Sequence, residues 1–99
     1  MKVRITARAR VQVRGRRAWW AENRPAAPTL FEEELYRTLR LISELPEAGV
    51  RWPTARNPRL RRVLMSESHH HVYFYVDPPG DSVVILTVWG AQRGRGPSL

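Results

Sequence analysis

The segment LRRVLMSESHHHVYFYVDPPGDSVVILTVW, from Leu60 to Trp89, carries the strongest structural signal in this chain. It contains three runs rich in β-branched and aromatic residues, a composition typical of β-strands. The runs are Leu60–Ser66, His70–Asp77 and Ser82–Trp89. Only short turn-like sequences separate them, Glu67-Ser68 and Pro78-Pro79-Gly80. Because short connections join neighbouring antiparallel strands, the segment predicts an antiparallel meander.

The middle run predicts a sheet with two chemically different faces. Side chains alternate along a strand, so every second residue shares a face. One face carries Val72, Phe74 and Val76, and the other carries His71, Tyr73, Tyr75 and Asp77. In the preceding run, Val63 and Met65 share a face, and Arg62 and Leu64 take the other. We therefore expect an apolar face that packs on helices and an aromatic, histidine-bearing face that is basic at its margin.

Upstream of this segment, the sequence predicts a short strand and then a helix. Lys2–Thr6 alternates charged and β-branched residues, which indicates a strand. From Ala7 to about Asn23, apolar residues such as Ala9 and Trp20 fall near one helical face, and Thr6 can cap the helix. Gly15 in the middle costs about 1 kcal/mol relative to alanine, which predicts either a close neighbour or a bend there.

A second helix follows the break Arg24–Pro28, and together the two helices form a hairpin. Thr29 and Glu32 have the spacing of a capping box. The apolar stripe of this helix is Phe31, Leu35, Leu39 and Ile42. The helix is expected to end near Leu45, and residues 46–59, with three prolines and a glycine, predict an irregular connection. The fold class is therefore α+β: an N-terminal strand, a helical hairpin and a mainly antiparallel sheet of about four strands.

The composition predicts one small folded domain, residues 1–99, with 42% hydrophobic residues. There is no cysteine, which excludes disulfides, thiol nucleophiles and cysteine-based zinc sites. No apolar run suits an export signal or approaches the roughly 20 residues of a membrane helix. We expect a soluble, cytoplasmic protein that makes no membrane contact. Gly90–Leu99 holds three glycines and a proline, which predicts a flexible tail.

The charge balance points to an anionic partner. Lysine and arginine number 17 against nine acidic residues, a formal charge of +8, and all but one of the basic residues are arginine. Guanidinium groups pair bidentately with phosphates and carboxylates, so nucleic acid or an acidic protein is the expected partner. The alternative is that a GC-rich genome encodes arginine readily and that these residues form a solvated surface.

The sequence lacks the residue patterns that most common enzyme mechanisms require. No phosphate-binding loop or dinucleotide fingerprint occurs, so no cofactor is expected. The run His69–His71 suggests a metal, but consecutive strand residues point to alternate faces, so at most His69 and His71 converge and no carboxylate completes the set. No metal site is therefore expected. Paired acids and a serine–histidine–aspartate triad also lack suitable positions in the strands.

One cluster suited to phosphate binding remains, contributed by two of the predicted strands and by the tail after the last strand. Its members are Arg61, Arg62, His71, Arg93 and Arg95. Cleaving RNA requires polarising a phosphate, activating a 2′-hydroxyl and protonating a leaving oxygen, which histidine and arginine can perform. The alternative is that Arg61 and Arg62 protect a sheet edge and that His71 is an ordinary half-exposed strand residue.

Taken in order, the motifs of the whole chain resemble the RelE/ParE superfamily of toxins. They are the first strand, WWxENRPxAP at 19–28, FEEEL at 31–35, a proline-rich stretch, RRVLM at 61–65, HVYFYVD at 71–77 and VWGAQRGRGP at 88–97. The resemblance implies two helices packed on one face of an antiparallel sheet. It also implies an acidic antitoxin partner that lays its C-terminal segment across the toxin in a hetero-oligomer.

Members of this superfamily differ in their cellular target, and this sequence departs from the pattern of the RelE-like branch. RelE-like members cut messenger RNA on the ribosome, with a Lys-x-Lys pair on the strand after the helices, an arginine on the next strand, an arginine past the last strand, and a C-terminal tyrosine or histidine. Here Arg62 can stand for the first lysine, but Leu64 occupies the second position. His71 takes the place of the strand arginine. Arg93, with Gln92 as the less favoured alternative, falls near the later arginine, and the tail holds neither tyrosine nor histidine.

The incomplete cleavage set favours the ParE-like branch, whose members inhibit DNA gyrase by binding. The expected function is therefore that of a non-enzymatic toxin with gyrase as target and an antitoxin as partner. The alternatives are a ribosome-dependent messenger RNA endoribonuclease that uses Arg62, His71 and Arg93, and a basic nucleic-acid-binding domain. The residues expected to contact the target or the antitoxin are Arg61, Arg62, His71, Tyr73, Tyr75, Arg93 and Arg95.

Overall fold

Two helices pack on one face of a five-stranded sheet in the computed structural model of this protein, which describes residues 1–92 and 94–99. The elements are β1 (Lys2–Ile5), α1 (Ala7–Asn23), α2 (Leu30–Glu44), β2 (Val50–Arg51), β3 (Arg61–Met65), β4 (His70–Asp77) and β5 (Ser82–Gly90). The expected α+β architecture is confirmed. No helix within the described residues is long and apolar enough to cross a membrane.

The strands lie in the order β1-β5-β4-β3-β2. The predicted meander is confirmed, because β3, β4 and β5 pair as antiparallel neighbours. β1 pairs with β5 in parallel, which the intervening helical hairpin permits, since parallel strands need a long crossover. The very short β2 pairs with β3 inside the connection that was expected to be irregular. Both of its residues are exposed, so it has no burial pattern that sequence periodicity can detect.

The core lies between the helices and one face of the sheet. Its buried members are Ala9, Trp20, Phe31, Leu35, Ile42, Met65, Val72, Phe74, Val83, Ile85 and Val88. The predicted helical faces are thus confirmed, with Leu39 and Val13 packing at the margin. Burying apolar surface of this kind is the main favourable term in folding.

The predicted N-terminal cap is present in α1 and absent in α2. Thr6 caps α1 as expected, since its side-chain oxygen accepts a hydrogen bond from the Ala9 N–H at 3.1 Å. Thr29 does not cap α2, and its hydroxyl donates instead to Glu33 Oε1 at 3.1 Å. The expected capping box with Glu32 is therefore wrong. The physical reason is that the Thr29 backbone is not extended, with ψ of 7°, whereas capping side chains need extended geometry.

A β-bulge in β5 changes which side chains reach the core. Tyr73 pairs with Thr87 and Phe74 pairs with Ile85, so Leu86 has no partner residue on β4. The extra residue shifts the alternation of β5 by one position. As a result, Val88 joins Val83 and Ile85 in the core, although strict alternation would place it on the other face.

A buried carboxylate ties the turn between β3 and β4 to α2. Glu34 accepts hydrogen bonds from the N–H groups of Glu67 and Ser68, both at 2.8 Å, and from the Ser68 hydroxyl at 2.6 Å. Burial by itself raises the pKa of Glu34, but these hydrogen bonds and the nearby charge of Arg37 outweigh it and lower the pKa from its ordinary value. The ionised carboxylate thus holds the turn that leads into the histidines of β4.

Candidate functional site

The sheet face opposite the helices, which we term the far face, gathers four of the residues expected to contact a partner. They are Arg62 on β3 and His71, Tyr73 and Tyr75 on β4, whose positions alternate with core residues. Arg62 lies directly opposite Tyr73 in the register of the two strands. On the other neighbouring strand, β5, Trp89 lies directly opposite His71. The expected aromatic, histidine-bearing face is therefore confirmed.

Arg62 is held in place by two aromatic side chains. Its Nη1 donates to the Tyr73 hydroxyl at 3.3 Å, and its guanidinium carbon lies 3.5 Å from the centre of the Trp52 ring. Such a cation–π contact holds the guanidinium in position and leaves most of its five N–H donors able to form hydrogen bonds with a partner. Trp52 was not identified from the sequence as a site residue. The signal for it was a tryptophan inside an arginine-rich stretch.

His71 is half-buried between these groups. Its ring lies 6.0 Å from that of Tyr73 in an edge-to-face arrangement. Burial lowers the pKa of His71, and the positive charge of Arg62 lowers it further. The imidazole is therefore mainly neutral near pH 7, the form that can accept a proton or a hydrogen bond.

The two tyrosines of the far face differ in exposure. Tyr73 is only 2% exposed, so its ring is not accessible at the surface of the free chain, and its role as a contact residue stays a prediction. Leu60, which is fully buried, comes from the connection before β3 and lies outside the helix-side core. The alternation of the strand predicts which face Tyr73 lies on but not how deeply its ring is buried. Tyr75 remains half-buried.

Arg61 does not belong to the far face. It pairs with Phe74, a core residue, and therefore lies on the other side of the sheet from Arg62. Its Nη1 donates to the Gly49 carbonyl at 2.7 Å. The expected grouping of Arg61 with Arg62 is thus corrected, because neighbouring residues of a strand point to opposite faces.

The tail reaches the end of the far face. The Trp89 Nε1–H donates to the Arg95 carbonyl at 3.0 Å, which places the Arg95 backbone beside β5. The Ser98 carbonyl accepts a hydrogen bond from Arg8 Nη1 of α1 at 2.9 Å. The flexibility of Gly90–Leu99 stays a prediction. Arg93, the third residue of the possible ribonuclease set, lies outside the described residues.

A second polar site lies at the end of β4, in a cavity of about 260 Å³ lined by Arg16, Ser68, His69, His70, Gly90 and Gln92. His70 is 2% exposed, and its Nε2 accepts from Arg16 Nε at 3.0 Å. Its Nδ1 lies 2.9 Å from the Ser68 carbonyl and can only donate there. The ring packs edge-on against Phe31 at 4.9 Å. His70 is therefore a hydrogen-bonded core residue, which its position in a triple-histidine run did not reveal.

The triple-histidine run does not form a converging pair on the strand. His69 lies in the turn with a φ of 60°, so only His70 and His71 belong to β4. Within residues 1–92 and 94–99, no group of three histidine, aspartate or glutamate side chains is placed to hold a metal ion.

This arrangement of strands and helices matches a solved structure, the crystal structure of the isolated E. coli RelE toxin. The TM-score is 0.61, and the match covers 94% of this chain and 86% of the RelE chain. The chain has the fold of RelE. The two sequences are 18% identical, so the likeness concerns the fold. No protein-family model matches this sequence, and no curated protein matches it either.

The RelE fold agrees with the family resemblance of the sequence. Both point to an N-terminal strand, a helical hairpin and a meander with one face covered by the helices. On this fold the far face presents Arg62 and His71 beside Leu64, which is 53% exposed. A basic group, an imidazole and an exposed apolar side chain thus form one surface patch.

Proposed function

We propose that this chain is the toxin of a type II toxin–antitoxin pair. The observation that carries the proposal is the RelE fold, which extends over 94% of the chain. The formal charge of +8 supports it, because a cationic toxin suits an acidic antitoxin and an anionic or DNA-associated target. Fold alone does not determine function, so the composition of the far face decides the proposed mode of action.

The proposed mode is inhibition of DNA gyrase by binding, without catalysis. Leu64 supplies no charge at the position where the RelE-like cleavage pattern has its second lysine, and its exposed side chain is better suited to an apolar contact. The Tyr73 hydroxyl is engaged with Arg62 and its ring is buried. The far face therefore offers binding groups, namely Arg62, Leu64 and the edge of Tyr75, more readily than a set of proton donors and acceptors.

An antitoxin segment is proposed to cover the groove between β1 and α2. This groove has a volume of about 350 Å³, and its apolar lining comes from Val3, Ile5, Tyr36 and Leu39. Tyr36 is 77% exposed, which is unusual for a large aromatic ring beside an apolar groove. β1 is an edge strand of the sheet, so an extended acidic segment can add to it and place apolar residues in the groove.

The test of the toxin proposal is growth after induced expression, with and without the neighbouring reading frame that encodes a candidate antitoxin. Growth arrest that this frame relieves is the expected result. A culture that grows normally while the folded protein accumulates would overturn the proposal. It would leave a basic nucleic-acid-binding domain as the better description, and that alternative predicts salt-dependent binding to nucleic acid without growth arrest.

The target is tested by two assays on the same purified protein. Gyrase supercoiling is expected to fall as toxin approaches stoichiometric excess, and a Leu64→Lys variant is expected to weaken this inhibition. Unchanged supercoiling at excess toxin would exclude gyrase as the target.

A RelE-type ribonuclease is the second candidate, and His71 is the observation that favours it. A neutral imidazole beside the Arg62 guanidinium has the groups for proton transfer next to a phosphate. This candidate predicts cleavage of ribosome-bound messenger RNA at mapped positions, abolished by His71→Ala.

A further inference from the structure

The stretch from Arg51 to Arg62, RWPTARNPRLRR, has an unusual charge composition. Five of its residues are arginine and none is acidic. None of the ion pairs formed within residues 1–92 and 94–99 involves any of these arginines. The stretch comprises the last residue of β2, the following loop and the first two residues of β3, and therefore lies at one edge of the sheet.

Three of these arginines come together on the helix side of that edge. Arg51 and Arg61 are directly opposite each other in the pairing of β2 with β3. Like charges at such a position repel each other and destabilise the sheet. With Arg59, they line an open cavity of about 380 Å³ whose remaining lining is Val76 and Pro78. A cavity lined by three arginines and no acidic residue fits a ligand that brings several negative charges.

The loop that carries Arg59 is held by its own hydrogen bonds. The Trp52 N–H donates to the Leu60 carbonyl at 2.9 Å, and the Thr54 N–H donates to the Asn57 carbonyl at 3.1 Å. Leu60 is fully buried and anchors the end of the loop. The arginines are therefore presented by an ordered backbone, which lowers the entropy lost when a ligand binds.

An exposed aromatic ring lies on the other side of the same edge. Trp52 is 43% exposed, and the guanidinium of Arg62 packs over its ring at 3.5 Å. Trp52 directly follows Arg51, the last residue of β2, so a ligand that contacts both the ring and the arginine cavity has to pass around this edge of the sheet. A ring held by a guanidinium on one side offers its remaining surface for stacking with an unpaired base.

We propose that this edge binds single-stranded nucleic acid. The phosphates lie against Arg51, Arg59 and Arg61, and a base stacks on Trp52. A duplex is disfavoured because its bases are not free to stack on a protein ring. An acidic peptide supplies negative charge but no planar ring for Trp52. The inference goes beyond the toxin proposal: it shares Trp52 and Arg62 with the far face but adds the arginines on the helix side of the edge, and it is tested without gyrase or ribosomes.

The experiment measures fluorescence anisotropy of labelled oligothymidylate and oligouridylate, each twelve nucleotides long, with the full chain. A duplex of the same length and a polyglutamate peptide are the competing ligands. Both single strands are expected to bind more tightly than the duplex and the peptide. The tighter of the two assigns DNA or RNA as the natural ligand.

Two variants separate the phosphate contacts from the stacking contact. The double variant Arg51→Ala/Arg59→Ala is expected to weaken binding and to reduce the slope of log affinity against log salt by roughly 1.4, because each lost phosphate contact contributes about 0.7 for single strands. Trp52→Ala is expected to weaken binding roughly fivefold or more, since stacking contributes about 1–3 kcal/mol per base, with little change in the salt slope.

The matched control is Arg10→Ala/Arg14→Ala, which removes the same charge from exposed positions of α1. This control is expected to retain the wild-type salt slope and near wild-type affinity. If the control weakens binding as much as Arg51→Ala/Arg59→Ala does, the oligonucleotide is attracted by net charge alone and the proposed site at the edge is refuted. Preferential binding of polyglutamate, or full binding by folded Trp52→Ala, also overturns the proposal. Circular dichroism of each variant establishes that it is folded.

Discussion

Replacing Glu34 with alanine is expected to destabilise the protein more than replacing any of its exposed acidic residues. The carboxylate is 6% exposed and accepts three hydrogen bonds from Glu67 and Ser68. In Glu34→Ala, the N–H and hydroxyl of buried Ser68 lose their acceptor, at about 1–3 kcal/mol for each unsatisfied group. The N–H of the exposed Glu67 can bond to water instead. The free energy of unfolding should therefore fall by about 2–6 kcal/mol at pH 7.

The same carboxylate gives the stability a pH dependence whose sign follows from its lowered pKa. Burial opposes ionisation, but the hydrogen bonds and Arg37 hold the folded pKa of Glu34 below its ordinary value of 4.5. The stabilisation is therefore complete above the unfolded pKa and is lost as the pH falls through the folded pKa. Urea unfolding followed by circular dichroism at several pH values between 7 and 3 measures this loss.

Two further variants make the test specific. Glu34→Gln keeps the shape but does not titrate, so its stability should change less than that of the wild type over the same pH range. Glu22→Ala removes an exposed acid from α1 and is expected to change the unfolding free energy by less than about 0.5 kcal/mol. The reasoning is refuted if Glu34→Ala behaves like Glu22→Ala, or if Glu34→Gln retains the full pH dependence of the wild type.

Three other predictions concern the helix, the sheet edge and the far face. Gly15→Ala should raise the unfolding free energy by about 1 kcal/mol, because a Cβ there meets no atom within 4 Å, and an unchanged urea midpoint would contradict this. Gly49→Ala should lower the unfolding free energy by about 1–3 kcal/mol, since the new Cβ would lie 2.5 Å from Phe74 Cζ in the core. A melting temperature equal to that of the wild type would contradict this prediction. Arg62→Ala should raise the pKa of His71 in an NMR titration, while burial keeps that pKa below its ordinary value; no change would exclude Arg62 as a cause.

Much of the fold was predictable because its elements carry local patterns. The stripe of α2 and the alternation of β4 each match the period of their element, and both faces are confirmed in the core. Gly15 shows the limit of a local argument. Its position suggested a close neighbour or a bend, but α1 continues from Ala7 to Asn23 and no neighbour lies within 4 Å of a Cβ at that position. The glycine of α1 thus has no packing role in the structure.

The candidate site was predictable only in part, because it depends on contacts between distant segments. Arg62 and His71 were expected on one face, and the register of β3 and β4 places them there. The burial of Tyr73 depends on packing that strand alternation does not encode, and the stacking of Trp52 on Arg62 depends on how the connection between β2 and β3 folds. That connection has no periodic pattern, so its path is set by hydrogen bonds and burial that sequence spacing does not encode.

Local sequence was sufficient for the character of each segment and for the charge of the whole surface. Periodicity, proline and glycine positions and the excess of arginine are properties of short stretches, and they predict helices, strands, turns and a strongly basic surface. The tertiary structure alone decided which arginines lie together. Arg61 and Arg62 are adjacent in the chain but lie on opposite faces of β3, while Arg51 and Arg61 become direct neighbours across two strands. Strand register is a long-range property set by core burial, and in this sheet it brings together like charges that the chain order keeps apart.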